Sequence, residues 1–388
     1  MMDGLLDFFQ PADVTISPSE DGIRRIADSA VIHTKERMGF TEEAKIFIFG
    51  VKEERHSAGN DGCAEGPDEI RKFLYRLHDI DNPMPIVDLG NIHAGARIED
   101  TYAAVRMVCE ELLRADKIPV ILGGSQDLTF ANYAAYESLE QTVNLVTIDQ
   151  RLDFGGKSDQ NDALNYLNQI VLHQPNYLFN YCNIAHQRYL VDKDLIELMD
   201  KMYFDLVRLG EVNTRISDAE PALRNADIVS VDLSSVRAGD SPGSANAGPN
   251  GLYAEYMCQI CRYAGMSDKL TSFGIYEYNP VYDERGRSAQ LAAQMLWHFI
   301  EGVSQRRGDY PVGTKDDYIR YIVPLADHEL VFYKSPLTDR WWMDVPYPSG
   351  SGNRYQRHHL VPCTYEDYQG ATNEEMPDRW WKTFQKLT

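Results

Sequence analysis

The segment VNLVTIDQRLDFG, residues 143–155, joins a short apolar run to two aspartates. Its first six residues predict a buried β-strand, because apolar and β-branched side chains dominate them. Asp149 and Asp153 follow directly, at a place where a buried carboxylate needs a partner. Two cations fit that role: a bound metal ion, or the guanidinium of Arg151 between the two aspartates.

Strands and helices alternate on both sides of this segment. The pattern predicts strands at 45–49, 86–89, 119–122, 143–148, 228–232 and 270–276, and helices at 68–77, 99–114, 193–202, 253–264 and 287–301. The residues between the strand at 143–148 and the helix at 193–202 are predicted to be a long irregular stretch. This alternation predicts an α/β fold, a three-layer αβα arrangement around a mostly parallel sheet.

Polar clusters follow four of the predicted strands, at 123–127, 149–153, 232–234 and 277–280. The carboxyl ends of parallel strands lie along one edge of the sheet, where ligands bind in folds of this class. We therefore expect the four clusters to converge on one site. The alternative is that each is an ordinary strand-end turn rich in Asp, Asn and Gly.

Composition limits the class of partner. The formal net charge of −21, without a compensating basic stripe, argues against nucleic-acid binding. No run of eighteen apolar residues predicts a membrane span, and the acidic N-terminus does not resemble a signal peptide, so we expect a cytoplasmic protein. Six dispersed cysteines predict reduced thiols, and the C-x-x-C of Cys258 and Cys261 is interpreted as core packing, with a metal or redox role as the alternative.

The sequence divides into a peripheral segment (1–44), an α/β domain (45–305) and an aromatic-rich C-terminal extension (306–388). The motif Asp-Arg-Trp-Trp occurs twice in the extension and holds four of the five tryptophans. One interpretation is that the extension wraps back over the core. The other is an interface with a protein partner or a second copy of the chain, for which the candidate anchors are Trp341, Trp342, Trp380 and Trp381.

Several motifs in residues 47–301 resemble the ureohydrolase superfamily of arginase, agmatinase and formimidoylglutamase. GPDEIR (66–71) is similar to the family's G-P-x-x-I-R, and SPG (241–243) and GPNGL (248–252) are similar to its A-P-G and P-G-G-L elements. Glu277 and Asp283 follow the last strand much as in that family. The resemblance implies an arginase-like fold and hydrolysis of a guanidinium or amidine carbon at two manganese ions.

The resemblance also implies six metal ligands, in G-G-x-H, D-x-H-x-D and S-x-D-x-D segments. Three ligand positions are kept and three are replaced: the kept residues are Asp149, Asp153 and Asp232, and the replacements are Gln126, Arg151 and Ser234. An arginine cannot become a metal ligand, and serine and glutamine carry no negative charge. We therefore expect no metal cofactor, and a salt-bridge cluster between Arg151 and the three aspartates.

The leading hypothesis is a non-catalytic arginase-fold protein that acts as a binding, regulatory or structural subunit. Glu277 stands where the family pairs a carboxylate with its cationic substrate, so a small cationic ligand is expected near Glu277 and Asp127, with a strand-end salt bridge of Glu277 as the alternative. Asp127 and Asp240 are also candidates for a weak hard-cation site. His173 and His186 are left without a role. The rival hypothesis is an active formimidoylglutamase-like hydrolase with a rebuilt Mn²⁺ site.

Overall fold

A computed structural model describes residues 2–15, 22–35, 41–81, 84–155, 162–311, 315–325, 328–348 and 355–388. Within these ranges, nine parallel strands form one sheet in the spatial order first, third, second, fourth, ninth, eighth, fifth, sixth and seventh. These strands are β1 (Ala30–Ile32), β2 (Ile46–Lys52), β3 (Ile86–His93), β4 (Ile118–Leu122), β5 (Val143–Ile148), β6 (Leu178–His186), β7 (Asp205–Arg208), β8 (Ile228–Asp232) and β9 (Ser272–Tyr276).

Helices cover both faces of the sheet. They are α1 (Ile26–Ser29), α2 (Gly66–Leu74), α3 (Ile98–Arg114), α4 (Leu128–Ala134), α5 (Leu167–Leu172), α6 (Lys193–Lys201), α7 (Leu209–Thr214), α8 (Glu220–Asn225), α9 (Ala254–Gly265) and α10 (Arg287–Ser304). Helices α2, α9 and α10 pack on one face, and α3 and α4 pack on the other. The predicted three-layer αβα fold with a parallel sheet is therefore confirmed.

Strand β2 shows why the sequence forms such a sheet. Ile46 and Ile48 pack under α2 and α10, whereas Phe47 and Phe49 pack under α3 on the opposite face. Because both faces are covered, neither set of alternate side chains needs to be polar. No helix in the described residues is both long enough and apolar enough to cross a membrane. All six cysteines are free and buried, including Cys258 and Cys261 in α9.

Two parts of the sheet differ from the prediction. The predicted irregular stretch contains β6 and β7, and β6 was missed because its asparagines interrupt the apolar pattern; Asn183 is buried and binds the backbone of Arg151 instead of facing water. The segment 1–44, predicted to be peripheral, supplies the edge strand β1 and buries Leu5 and Phe9 under β2. Local propensity was overridden in both places by tertiary packing.

The C-terminal extension forms a second, antiparallel sheet of four strands in the order of the chain. Its strands are β10 (Ile319–Leu325), β11 (His328–Lys334), β12 (Trp341–Asp344) and β13 (Leu360–Cys363), and its helices are α11 (Tyr365–Thr372) and α12 (Asp378–Leu387). The extension docks on the α/β domain through Arg224, which donates to the carbonyls of Trp341 and Cys363 at 3.0 Å each. Arg357 adds an ion pair to the buried Asp227 at 2.6 Å.

The tryptophans show which interpretation of the extension holds. Trp341, Trp342 and Trp380 are at most 7% exposed and pack inside the extension or against Arg224. The prediction that these three anchor a partner is wrong, because side chains buried within their own chain have no surface left to contact another one. Trp381, at 43% exposure on α12, stays a candidate interface residue.

Candidate functional site

The strand order brings the four predicted polar clusters together. Strands β4, β9, β8 and β5 are consecutive neighbours, and their carboxyl ends lead into Gln126, Glu277, Asp232 and Asp149 respectively. Gly124 allows this convergence, since a Cβ there would lie 1.9 Å from the carbonyl oxygen of Glu53. We call Asp149, Asp153, Asp232 and Glu277 the carboxylate cluster.

Gln126 bridges two members of this cluster. With its amide nitrogen toward the aspartates, it donates to Asp149 Oδ2 at 3.1 Å and to Asp153 Oδ2 at 3.2 Å, while its oxygen accepts from Ser230 Oγ at 3.2 Å. This orientation gives both ends of the amide a complementary partner, whereas the reverse would aim an oxygen at two carboxylates. The neutral amide therefore supplies donors at the centre of the cluster.

Ser234 satisfies both oxygens of Asp232. Its backbone N–H donates to Asp232 Oδ1 at 2.7 Å, and its hydroxyl donates to Asp232 Oδ2 at 2.8 Å. The serine oxygen in turn accepts from the amide of Gln150 at 2.9 Å. The residue that replaces an aspartate in the family pattern thus serves as a hydrogen-bond donor to the aspartate that remains.

Glu277 is buried and fully hydrogen-bonded. Its Oε1 accepts from the backbone N–H of Gln126 and its Oε2 from the amide of Asn60, each at 2.8 Å. Its backbone has φ = 63°, an uncommon conformation for a non-glycine residue and typical of functional sites. Among the described residues, Glu277 forms no salt bridge within 4.0 Å, so the strand-end ion pair considered from the sequence is absent.

Burial favours the protonated forms of the clustered carboxyls. Burial, followed by the neighbouring Asp149, raises the pKa of Asp153 well above its usual range, and a hydrogen bond joins the two carboxyls. Burial and the charge of Asp149 also raise the pKa of Asp232, and burial and Asp232 raise that of Glu277. Four carboxyls this close cannot all ionise in a low-dielectric interior.

The predicted salt bridges of Arg151 are not formed. No ion pair within 4.0 Å in the described part of the chain includes its guanidinium, and its Nε has no hydrogen-bond partner. Its backbone N–H, however, donates to Asp149 Oδ1 at 2.8 Å. Burial raises the pKa of Asp149 and Asp232, and the positive charge of Arg151 offsets part of that rise. Arg151 as a whole is half-buried, although its Nε is out of contact with solvent.

A second polar group lies beside the cluster and joins the predicted Asp127 to His56 and Tyr102, which were missed from the sequence. Asp127 is fully buried; it accepts a hydrogen bond from the Tyr102 hydroxyl and lies 3.5 Å from His56 Nδ1. The contact with Asp127 raises the pKa of His56. His56 and Asn60 belong to the Gly-rich loop after β2. The position of this loop at the end of a strand was the sequence signal that could have identified both residues.

The other candidate residues lie in ordinary contacts. Both oxygens of Asp240 accept from Arg237, at 2.8 and 3.0 Å, so its carboxylate is already engaged by a cation. His173 lies 3.3 Å from Glu137 and packs against aromatic rings. The described residues contain no group of three or more His, Cys, Asp and Glu side chains arranged to hold a metal ion.

Comparison with known proteins identifies a matching family, related sequences and structures with a similar fold. A model of the arginase family matches residues 44–301. The formimidoylglutamase of Staphylococcus aureus (strain MSSA476) is 25% identical over 252 residues, covering 63% of this chain and 80% of that protein. The crystal structure of Trypanosoma cruzi formiminoglutamase with Mn²⁺ superposes with a TM-score of 0.64 at 22% identity, covering 70% of this chain and 97% of that chain. The formimidoylglutamase of Bacillus subtilis subsp. subtilis str. 168 gives a TM-score of 0.66 at 17% identity, covering 79% and 99%.

Proposed function

We propose that this chain, which belongs to the arginase family, is a non-catalytic member of it that acts as a binding, regulatory or structural subunit. One observation carries the proposal: the carboxylate cluster is closed by hydrogen bonds from the protein itself. Gln126 and Ser234, which stand at metal-ligand positions of the family pattern, donate to the three aspartates, and Asn60 donates to Glu277. A site whose carboxylates already have donors has less to gain from binding cations.

The donor set does not fit a pair of manganese ions. Such a pair needs neutral imidazoles and additional carboxylates, but an amide and a hydroxyl stand at Gln126 and Ser234, and both are occupied within the cluster. Arg151 adds a fixed positive charge nearby, which lowers the affinity for divalent cations. We therefore assign no metal-dependent step to this chain.

A small cationic ligand at Glu277 and Asp127 is not part of this proposal. Glu277 is 2% exposed and both of its oxygens accept hydrogen bonds. Asp127 is fully buried with Tyr102 and His56 at its Oδ2, and its Oδ1 has no hydrogen-bond partner among the described residues. A guanidinium or amidine would have to displace Asn60 and the backbone of Gln126 before it reached the carboxylate.

The second candidate is an active amidinohydrolase with a rebuilt metal site. Two observations favour it: relatives named formimidoylglutamase match most of the chain, and the amide of Gln126 can be turned. In the turned orientation its oxygen faces Asp149 Oδ2 and Asp153 Oδ2 at 3.1 and 3.2 Å. Three converging oxygens would suit a hard cation such as Mn²⁺ or Mg²⁺.

Elemental analysis separates the two functions. The protein is purified with manganese present, passed through a desalting column, and its manganese content is measured per chain. We expect a value near zero, and no formamide or urea released from amidine and guanidine substrates. Two ions per chain, with hydrolysis, would overturn the proposal.

A reversion variant serves as the matched control. Gln126→His, Arg151→His and Ser234→Asp together restore the imidazoles and the carboxylate of the family pattern, and we expect this variant to retain more manganese than the natural chain. Its melting temperature should rise when manganese is added, because a ligand that binds only the folded state stabilises it by mass action. If the variant folds but gains no manganese, the assignment of these positions is wrong.

A further inference from the structure

A cationic cavity lies on the same sheet edge, beyond the carboxylate cluster. The next two strands in the sheet, β6 and β7, end in His186 and Arg208. These residues, together with Arg188, Arg237 and Asn250, line a cavity of about 340 Å³. We call this cavity the arginine pocket. Its volume is at the lower end of the range for small-molecule sites.

The arginine pocket has an excess of positive charge. Among the ion pairs of the described residues within 4.0 Å, none includes Arg188 or Arg208. Arg237 is paired with Asp240 and lies over the ring of Tyr253 at 4.2 Å. The nearby Glu211 accepts a hydrogen bond from the backbone N–H of Arg208, at 2.9 Å. Two guanidinium groups without carboxylate partners are notable in a chain of net charge −21.

His186 adds a buried ring with one unpartnered nitrogen. The residue is 2% exposed, and its Nδ1 forms no hydrogen bond. Burial, with the charge of Arg208, lowers the pKa of His186, so the ring is neutral at physiological pH. The pairing of β6 with β7 is irregular between Ile184 and His186, and Ala185 between them has φ = 82°. Strain of this kind is typical of functional sites.

One wall of the pocket is fixed in place by hydrogen bonds. The amide of Gln187 donates to the carbonyl of Asn250 at 3.1 Å, the Tyr189 hydroxyl donates to Gln187, and the amide of Asn250 donates to the Tyr189 oxygen at 3.1 Å. This ring of contacts also reaches Gln150, whose carbonyl accepts from the Gln187 backbone N–H at 2.9 Å. A wall held in this way loses little further entropy when a ligand binds.

We propose that the arginine pocket binds a small molecule through an oxyanion group, a carboxylate or a phosphate, held by Arg188 and Arg208. The planar guanidinium is suited to both groups because its parallel N–H donors match two oxygens. Arg237, held by Asp240 and Tyr253, also lines the pocket and contributes positive charge. The proposal is independent of the metal content of the carboxylate cluster.

The test measures thermal stability and binding heat in the presence of chelator at constant ionic strength. The probes are succinate, inorganic phosphate and the uncharged analogue succinamide. We expect saturable binding of succinate or of phosphate and none of succinamide. Binding of succinate alone assigns a carboxylate ligand, and binding of phosphate alone assigns a phosphorylated one. If neither anion binds saturably, the proposal is refuted.

Matched variants locate the binding. Arg188→Gln and Arg208→Gln should each weaken the bound anion about 10-fold or more, with the melting temperature of the free protein little changed because both side chains are exposed. Arg215→Gln is the control: Arg215 is also exposed, but it is paired with Asp218 and Glu366 outside the pocket. Equal weakening by Arg215→Gln, or no weakening by the pocket variants, would show that the anion binds elsewhere.

Discussion

Replacing Asp153 with asparagine is expected to stabilise the protein at neutral and alkaline pH. Asp153 is 6% exposed, and its carboxyl lies against Asp149 and the amide of Gln126. None of the ion pairs within 4.0 Å among the described side chains includes Asp153. An asparagine at 153 has nearly the same shape and cannot ionise. It can also donate to Asp149, as the protonated carboxyl does.

The magnitude follows from the linkage between protonation and folding. Burial and the neighbouring Asp149 raise the pKa of Asp153 in the folded protein. The contribution of this protonated carboxyl to folding stability is therefore complete below the unfolded pKa and is lost as the pH rises toward the folded pKa. Retaining a proton at pH 7 on a carboxyl with an unfolded pKa of about 3.9 costs at most about 4 kcal/mol. Because the cluster shares its protons, we expect Asp153→Asn to add about 1–4 kcal/mol to the free energy of unfolding at pH 7, and close to nothing at pH 4.

The assay is urea unfolding of the natural chain and the variant between pH 4.5 and 8, with chelator present. Asp227→Asn is the matched control, since Asp227 is equally buried but pairs with Arg357 at 2.6 Å. Removing one partner of a buried ion pair should cost about 3–5 kcal/mol near neutral pH. If Asp153→Asn also destabilised the protein at pH 7.5, Asp153 would be an ionised carboxylate with a cation beside it, and the protonated cluster described above would be wrong.

Three further predictions address the extension and the polar group beside the cluster. Arg224→Ala should lower the free energy of unfolding by about 2–4 kcal/mol, because Glu220 and the carbonyls of Trp341 and Cys363 lose their buried donor. Urea unfolding measures the loss, and limited proteolysis of the variant should cut the C-terminal extension first. Trp380→Ala should cost about 3–5 kcal/mol by the cavity it leaves, whereas Trp381→Ala should change stability little and, if α12 is an interface, should reduce the mass measured by light scattering. Asp127 raises the pKa of His56, so this pair stabilises the fold below the unfolded pKa of His and less as the pH rises through the folded value; His56→Gln should therefore lower the melting temperature more at pH 6 than at pH 8.5.

The sequence was sufficient for the parts of the fold that are covered on both faces. Strands such as β2 and β5 are short runs dominated by apolar and β-branched side chains, and their length and composition distinguish them from the amphipathic helices between them. Strand β6 was missed because Asn180 and Asn183 are poor strand formers, although the fold gives each a partner: Asp205 for the first, and the backbone of Arg151 for the second. Such partners lie far away in sequence, and periodicity does not reveal them.

The candidate site was predicted in position but not in its contacts. Strand-end placement was enough to bring Gln126, Asp149, Asp232 and Glu277 together. Whether Arg151 pairs with the cluster depends on a balance between Coulomb attraction and desolvation, and among the described residues its guanidinium forms no ion pair within 4.0 Å. The arginine pocket also escaped prediction, since Arg188 follows β6 and Arg208 ends β7, and the two come to one cavity only through the pairing of these strands.

The three replacements in the metal-ligand pattern make physical sense only as a set. Four aspartates would balance two divalent cations, so without those cations each ionised carboxylate would destabilise the cluster. Ser234 in place of the fourth carboxylate removes a negative charge and donates to Asp232, Gln126 donates to Asp149 and Asp153, and Arg151 adds a positive charge at a distance. Each replacement therefore lowers or compensates the negative charge that manganese would balance. Restoring Ser234→Asp alone would put a carboxylate beside Asp232 without its cation, which is why the reversion test needs all three changes together with the metal.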